Sequence, residues 1–283
     1  MRYHPAAMTS SPPRPPGHHA YYDDAHAYDV AFGYRDVDVE LEFLLAAARR
    51  HGTGATTSFL ELASGPGYHA GAAARRGLRS VALDLSAPMI ERARARAARE
   101  GVIVEGLVAN MADFRLSQPV DLACNLLTSI SYLTSTKALH EHFACVARAL
   151  RPGGVYVVEN NHPDDFWTRA HFEPSRWTMT ATEGDRTLEV FTSWIDEPPV
   201  IHLVAQTYTV KARTEVTDTT PAGVARRTLI DHATLRMIWP QELVAHAHAH
   251  GLALARFYGA LDLDVAIEDA RAWRTVAVFV KTS

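Results

Sequence analysis

The chain has 283 residues, 47% of them hydrophobic and 21% charged, with a formal net charge of -4 and an isoelectric point near 6.4. That composition supports a well-packed globule of one large or two ordinary domains, and the acidic balance argues against a nucleic-acid or anionic-membrane partner, both of which need a basic face. No apolar run approaches the roughly 18 residues of a membrane span and the N-terminus lacks the apolar core of a secretory signal, so a cytoplasmic protein is expected.

Residues 1–19, "MRYHPAAMTSSPPRPPGHH", contain five prolines, which resist helix and sheet and leave little to bury; they read as a disordered arm. A helical pattern begins at Tyr21 and continues through Leu41, Phe43, Leu44 and Leu45 to the basic turn and glycine stop "RRHG" at 49–52. "TSFLELA" reads as a buried strand, "GAAARRG" as a short helix, "SVALDL" as a second strand, and "SAPMIERARARAAREG" as a helix with Ser86 as cap and Pro88 in its first turn. "VIVEGLVA" and "VDLACNLL" supply a third and fourth strand. A helix from about Lys137 to Leu150 follows, "RPGG" turns the chain, and "VYVVEN" makes a fifth strand. Strands separated by helices of this length imply right-handed crossovers and a parallel sheet covered on both faces, a doubly wound α/β core over residues 20–160.

After Asn160 the pattern changes to period two. "TLEVFTSW", "PVIHLVAQTYTV" and "RRTLIDHATLRMI", separated by "DEPP" and "TPAG", read as antiparallel strands. Residues 161–239 are therefore expected to be an antiparallel β insertion forming a lid over the substrate. A helix at "PQELVAHAHAHG" and strands at "LALARFYG" and "WRTVAVFVK" complete the core over 240–283. Cys124 and Cys145 lie among apolar neighbours and read as buried free thiols.

Ligands of an open parallel sheet bind outside the carboxyl ends of the strands. There the first strand runs into Ser64, Gly65, Pro66 and Gly67, whose glycines let the backbone approach a ligand. At the end of the second strand stands Asp84, a carboxylate able to accept both hydroxyl hydrogens of a ribose. Turn and carboxylate together suit a nucleoside, although dinucleotide enzymes use the same logic with a different glycine spacing.

"FLELASGPG", "VALDLS", "VANMADF", "VDLACNLLTSISYL" and "RALRPGGVYVVEN" occur in this order. The order resembles the class I S-adenosylmethionine-dependent methyltransferases over about residues 21–160 and the C-terminal strands. The N-terminal helix and the insertion look most like small-molecule N-methyltransferases acting on glycine or amino sugars. The resemblance implies a Rossmann-like seven-stranded sheet with an antiparallel final strand, and S-adenosylmethionine as cofactor. It places Gly65, Gly67 and the Ala63 carbonyl at the methionine part, Asp84 on the ribose, Leu85 and Met89 beside the adenine, and Asn110, Met111 and Ala112 at its other edge. Leu126 is expected near the sulfonium, and Arg35 on the cofactor carboxylate. The implied reaction is methyl transfer to a small metabolite at an amine nitrogen; the alternative within the same fold is intramolecular alkylation of the cofactor with release of methylthioadenosine.

Methyl transfer needs alignment first, and a base where the nucleophile begins protonated. His162, directly after the fifth strand, and Tyr28 are the catalytic candidates; Tyr21, Tyr132, Asn160, Trp167 and Tyr208 are the candidate substrate contacts. His69 reads as a helix-start contact. His246 and His250 share a helix face without a third or fourth ligand, so no metal is expected. A homo-oligomer stays open.

Overall fold

A computed structural model describes residues 22, 24–168 and 172–282. The proline-rich arm and Tyr21 lie outside the described residues. The N-terminal helical stretch is two helices: α1 (Ala25–Ala31), capped by Asp24, and α2 (Val37–His51), capped by Asp36. Each cap aspartate accepts the backbone N–H three residues on, which supplies one of the partners a helix start lacks.

Seven strands form the main sheet: β1 (Ser58–Leu62), β2 (Arg79–Asp84), β3 (Val104–Val108), β4 (Val120–Asn125), β5 (Leu150–Asn161), β11 (Leu252–Tyr258) and β12 (Arg274–Lys281). Their spatial order is β11-β12-β5-β4-β1-β2-β3. The five strands from β3 to β5 are parallel, and β12 enters antiparallel to both β5 and β11. The expected seven-stranded α/β sheet with an antiparallel last strand is present. The order reverses between β1 and β4, so the switch point lies above their carboxyl ends.

All residues of β1 and β4 are buried, as central parallel strands require. Successive residues feed opposite faces. Leu60, Leu62, Val81 and Tyr156 join α5 (Thr136–Ala149) and α7 (Pro240–His248) in one core; Phe59, Leu122, Val155 and Val278 pack with α2 and α3 (Tyr68–Arg75) in the other. Helix α4 (Ala87–Arg99) starts with Ser86 as cap and Pro88 in the first turn, as its sequence predicts. "RPGG" belongs to β5, which begins at Leu150 rather than after the turn.

Past the short helix α6 (Pro163–Thr168), the insertion is a second, wholly antiparallel sheet of β6 (Ser175–Glu183), β7 (Arg186–Trp194), β8 (Val200–His202), β9 (Thr207–Thr220) and β10 (Gly223–Arg236). Strand β6 is absent from the sequence reading. "PVIHLVAQTYTV", expected as one strand, is two: the chain reverses at 203–206, with Gln206 at φ 53°, and β8 pairs back on β9. Helix α1 seals this sheet to the core. Ala27, Val30 and Ala31 pack on Leu188, Val190 and Val216, while Asp29 is held from the core side by Arg92, Arg96 and the Tyr68 hydroxyl. Among the described residues no helix is long and apolar enough to cross a membrane.

Candidate active site

Two adjoining cavities open at the switch point. The first, about 280 Å³, is bounded by Ala63, Gly65, Asp84, Leu85, Asn110 and Met111 from the strand ends and by Tyr22, Tyr28, Ser129 and Tyr132. Those last four residues also bound the second cavity, about 360 Å³, whose remaining wall comes from Phe32, Trp177, Trp194, Tyr208, Asn161, Glu173 and Arg274. Between the two, the Tyr22 and Tyr132 hydroxyls share a hydrogen bond of 2.7 Å with the rings edge to face.

In the first cavity, the Gly65 amide donates to Asp84 Oδ2 (2.7 Å) and the Ser86 amide to Oδ1 (2.9 Å), so the carboxylate is fixed before any ligand arrives. Burial raises its pKa, opposed by these amide donors. Each oxygen keeps a lone pair for a ligand hydroxyl. Asn110 Oδ1 accepts the Ala112 amide (2.8 Å) and so locks the floor of the cavity. Ala63 and Gly65 both have positive φ, 51° and 52°; a Cβ on Gly65 would approach the Tyr28 ring to 3.5 Å, within the space between ring and turn.

Five residues expected at the cofactor are not among those lining the first cavity. Gly67 faces α4: a Cβ there would stand 2.7 Å from the Ala93 Cβ, so this glycine permits helix packing. Met89, Ala112 and Leu126 are buried in the core clusters and helices behind the cavity wall. The Arg35 guanidinium is engaged by Glu40 through Nε (3.0 Å) and Nη2 (2.5 Å) and takes no part in either wall. Its ion pair extends inward. Glu40 Oε2 accepts His69 Nε2 (2.7 Å), and Glu61 Oε1 accepts His69 Nδ1 (2.8 Å). Burial opposes the charge on His69, yet the two carboxylates that face its ring nitrogens raise its pKa. His69 is thus a buried strut from β1 to α2, beneath the glycine turn.

Of the catalytic and substrate candidates, Tyr28, Tyr132 and Tyr208 line the second cavity. His162 does not: its Nε2 donates to the Ile267 carbonyl (3.1 Å) and its Nδ1 accepts the Asp164 amide (3.3 Å), which uses both nitrogens in the protein. Asn160 is buried behind the wall, its Oδ1 accepting from Ser131 and its Nδ2 donating to the Ile238 carbonyl. Trp167 is 85% exposed. Sequence reasoning missed Trp177 and Arg274, and it favoured Tyr28 and Asn160 over Tyr22 and Asn161, which it also weighed at these two places. Trp177 lies on the unread strand β6, its Nε1 donating to the Ala31 carbonyl (2.9 Å); Arg274 opens β12, opposite Asn161 in the β5–β12 register.

Strain gathers at the same mouth. Of the non-glycine residues with positive φ, Ala63 lines the first cavity and Leu127, Thr128 and Ile195 the second. Such backbone costs of order 1–3 kcal/mol per residue and persists where its surroundings hold it; here Glu159 Oε2 accepts the Leu127 amide at 2.8 Å. Away from the mouth, His250 Nε2 and His140 Nδ1 are 3.2 Å apart, and among the described residues no group of three or more ligand side chains is placed to hold a metal.

A doubly wound sheet in the order described, with its antiparallel β12, a carboxylate at the end of β2 and a cavity over the β1 turn, is a fold shared with solved S-adenosylmethionine-dependent methyltransferases. Residues 59–154 match the family model described as a methyltransferase domain. Over 138 residues the chain is 32% identical to dTDP-3-amino-3,4,6-trideoxy-alpha-D-glucopyranose N,N-dimethyltransferase of Streptomyces venezuelae; the match covers 48% of this chain and 56% of that relative. The fold is shared with an S-adenosylmethionine-dependent methyltransferase from Clostridium acetobutylicum (TM-score 0.71, 15% identity, 93% of this chain and 99% of the other). It is shared equally with the sugar N-methyltransferase KedS8 from Streptoalloteichus (TM-score 0.70, 21% identity, 100% of both chains).

Proposed function

We propose that the protein methylates the amine nitrogen of a small metabolite, with an amino sugar as the favoured class. The observation that carries this reading is the second cavity: a chamber walled by aromatic rings that meets the cofactor cavity at tyrosines alone, apart from Ser129. Aromatic faces attract a cationic centre, whether a sulfonium or an ammonium. Burial raises the pKa of Tyr22 well above the ordinary phenol range and pushes that of Tyr132 up to about 12. Both phenols therefore stay protonated at neutral pH; they orient and exclude water, and neither is a phenolate base.

An alcohol nucleophile needs a base at the reacting atom. An amine can instead enter the chamber neutral, having left its proton in solvent, and so needs only alignment. S-adenosylmethionine, when bound, supplies an electrophilic methyl on a sulfonium. Asp84 and the Asn110 turn would hold its nucleoside, the glycine turn at Gly65 its amino-acid end, and the Tyr22–Tyr132 partition the approach of the nucleophile. The amino-sugar relative supports the nitrogen assignment. The relatives compared above are described as methyltransferases, so the cyclising alternative is not carried forward.

Incubation with the cofactor and a panel of amino sugars, other amines and phenols, with products read by mass spectrometry, tests this. Methylated amines and S-adenosylhomocysteine are expected. Methylation of the phenols alone refutes the amine reading, and titration calorimetry without cofactor binding refutes the whole.

A further inference from the structure

This inference rests on the amine-methylation reading and adds to it a second group that the substrate carries. The chamber adjoins a third cavity, of about 400 Å³, with which it shares Glu173 and Ile195. That outer cavity shares no residue with the cofactor cavity. The three therefore follow one another: cofactor cavity, chamber, outer cavity. Tyr22 and Tyr132 stand where the first two meet, and Glu173 stands where the last two meet.

Charge decides what the chamber can hold besides the reacting nitrogen. Arg274 is the one basic residue among the described residues of the chamber wall, and its charge is already matched. Its Nη1 donates to Asn161 Oδ1 at 2.8 Å, and its Nε lies 3.0 Å from Oε1 of Glu159, a carboxylate only 2% exposed. The other carboxylates of the outer cavity are matched as well, Asp196 by Arg213 at 3.1 Å and Glu197 by Lys211. Glu173 differs. It is exposed, two residues before β6, and no described residue forms an ion pair or hydrogen bond with its carboxylate. The chamber wall thus carries one uncompensated charge, a negative one, together with the rings of Phe32, Trp177 and Trp194. A carboxylate only accepts, and aromatic faces attract cations. A phosphate or carboxylate on the substrate would meet like charge there and no free base.

We propose that Glu173 pairs with a second ammonium group of the substrate, so that the chamber favours diamines over monoamines. One nitrogen is presented to the methyl donor between Tyr22 and Tyr132; the other is held by Glu173 at the entrance to the outer cavity.

The probes are short α,ω-diaminoalkanes, from ethylenediamine to hexane-1,6-diamine, and the monoamines of equal chain length. Each is titrated by NMR into the full chain saturated with S-adenosylhomocysteine. Wild type is expected to bind the best-fitting diamine about fivefold tighter than its monoamine at low salt, which is what one solvent-reached ion pair supplies. The preference should shrink as salt is raised, because screening weakens such a pair. Glu173→Gln keeps the shape and removes the charge; its preference is expected to fall to about twofold, the share that two equivalent ends give by statistics alone. Glu141→Gln removes the same charge from an exposed site on α5 that lines none of the three cavities, and it should keep the wild-type preference. Titration of each variant with S-adenosylhomocysteine reports that the fold survives. A wild type with no more than the statistical preference, a Glu173→Gln protein that keeps the larger one, or a Glu141→Gln protein that loses it overturns the proposal while leaving amine methylation standing. Binding of no amine, with no methylated product, refutes the underlying reading and the proposal together.

Discussion

Gly67→Ala separates packing from cofactor contact at the glycine turn. Two costs add at this position. With φ at 70° the residue is left-handed, which costs an alanine about 1–2 kcal/mol. Its Cβ would also lie 2.7 Å from the Ala93 Cβ, with the Ala82 Cβ at 3.7 Å; overpacking of this kind costs about 1–3 kcal/mol. The sum, roughly 2–5 kcal/mol, is a large part of the stability of an ordinary domain. Gly77 provides the control, since its φ is 83° and a Cβ there meets nothing within 4 Å. Gly77→Ala therefore carries only the backbone cost. In thermal melts, at about 2–4 °C per kcal/mol for a chain of this size, Gly67→Ala should fall roughly 4–20 °C and Gly77→Ala roughly 2–8 °C.

Ala93→Gly lowers stability on its own by about 1 kcal/mol as a helix-interior glycine. In the Gly67→Ala background it should restore part of the loss, because it removes the atom that clashes. A double-mutant cycle reads that coupling directly. If Gly67→Ala costs no more than Gly77→Ala, or if Ala93→Gly gives no relief, the packing explanation of this glycine is wrong.

Other outcomes follow from the same geometry. Asp84→Ala removes a charged acceptor for the ribose hydroxyls and should weaken cofactor binding by roughly 10- to 100-fold in titration calorimetry, one charge-assisted bond being worth about 1.5–3 kcal/mol. His142 is buried neutral, donating from Nδ1 to the Met111 carbonyl and accepting from Tyr156 at Nε2, and burial pushes its pKa down to about 4. The unfolded chain takes up that proton near pH 6.5 and the folded chain does not until about 4, so stability is full above 6.5 and declines as pH falls between the two values. The loss should reach about 3 kcal/mol by pH 4 in denaturant titrations, and a glutamine at position 142 should flatten it. Asp29 is shifted in the same direction for another reason: burial opposes its ionisation, but Tyr68, Arg96 and Arg92 lower its pKa. Its contribution is present above the ordinary carboxylate range and is lost as pH falls through it, so Asp29→Asn should speed hydrogen exchange in α1 at neutral pH as acid does in wild type.

Most of the fold was written locally. Apolar runs bounded by caps and glycines marked β1 to β5 and the helices between them, and each of those signals acts within a few residues of itself. The cofactor-side features were legible for the same reason: Ala63, Gly65, Asp84, Leu85, Asn110 and Met111 stand at strand ends, and a strand end in a parallel sheet is a place as well as a residue. Strand β6 escaped because "SRWTMTATE" is a surface strand, with much of its burial pattern half-exposed or exposed, and polar alternation of that kind reads as loop.

What the sequence could not choose was phase and long-range pairing. Asn160 and Asn161 are neighbours on a strand buried on both sides, so they point to opposite faces and nothing local says which face is the chamber. Packing of β12 against β5 decided it, by setting Arg274 opposite Asn161 and leaving Asn160 to Ser131 and the Ile238 carbonyl. His69 was settled likewise by Glu40, a carboxylate that the docking of α2 brings to it, and by Glu61 of β1. A side chain's chemistry belongs to the residue, but its partner is whatever the tertiary fold carries within about 3 Å, and that distance is not encoded in spacing along the chain.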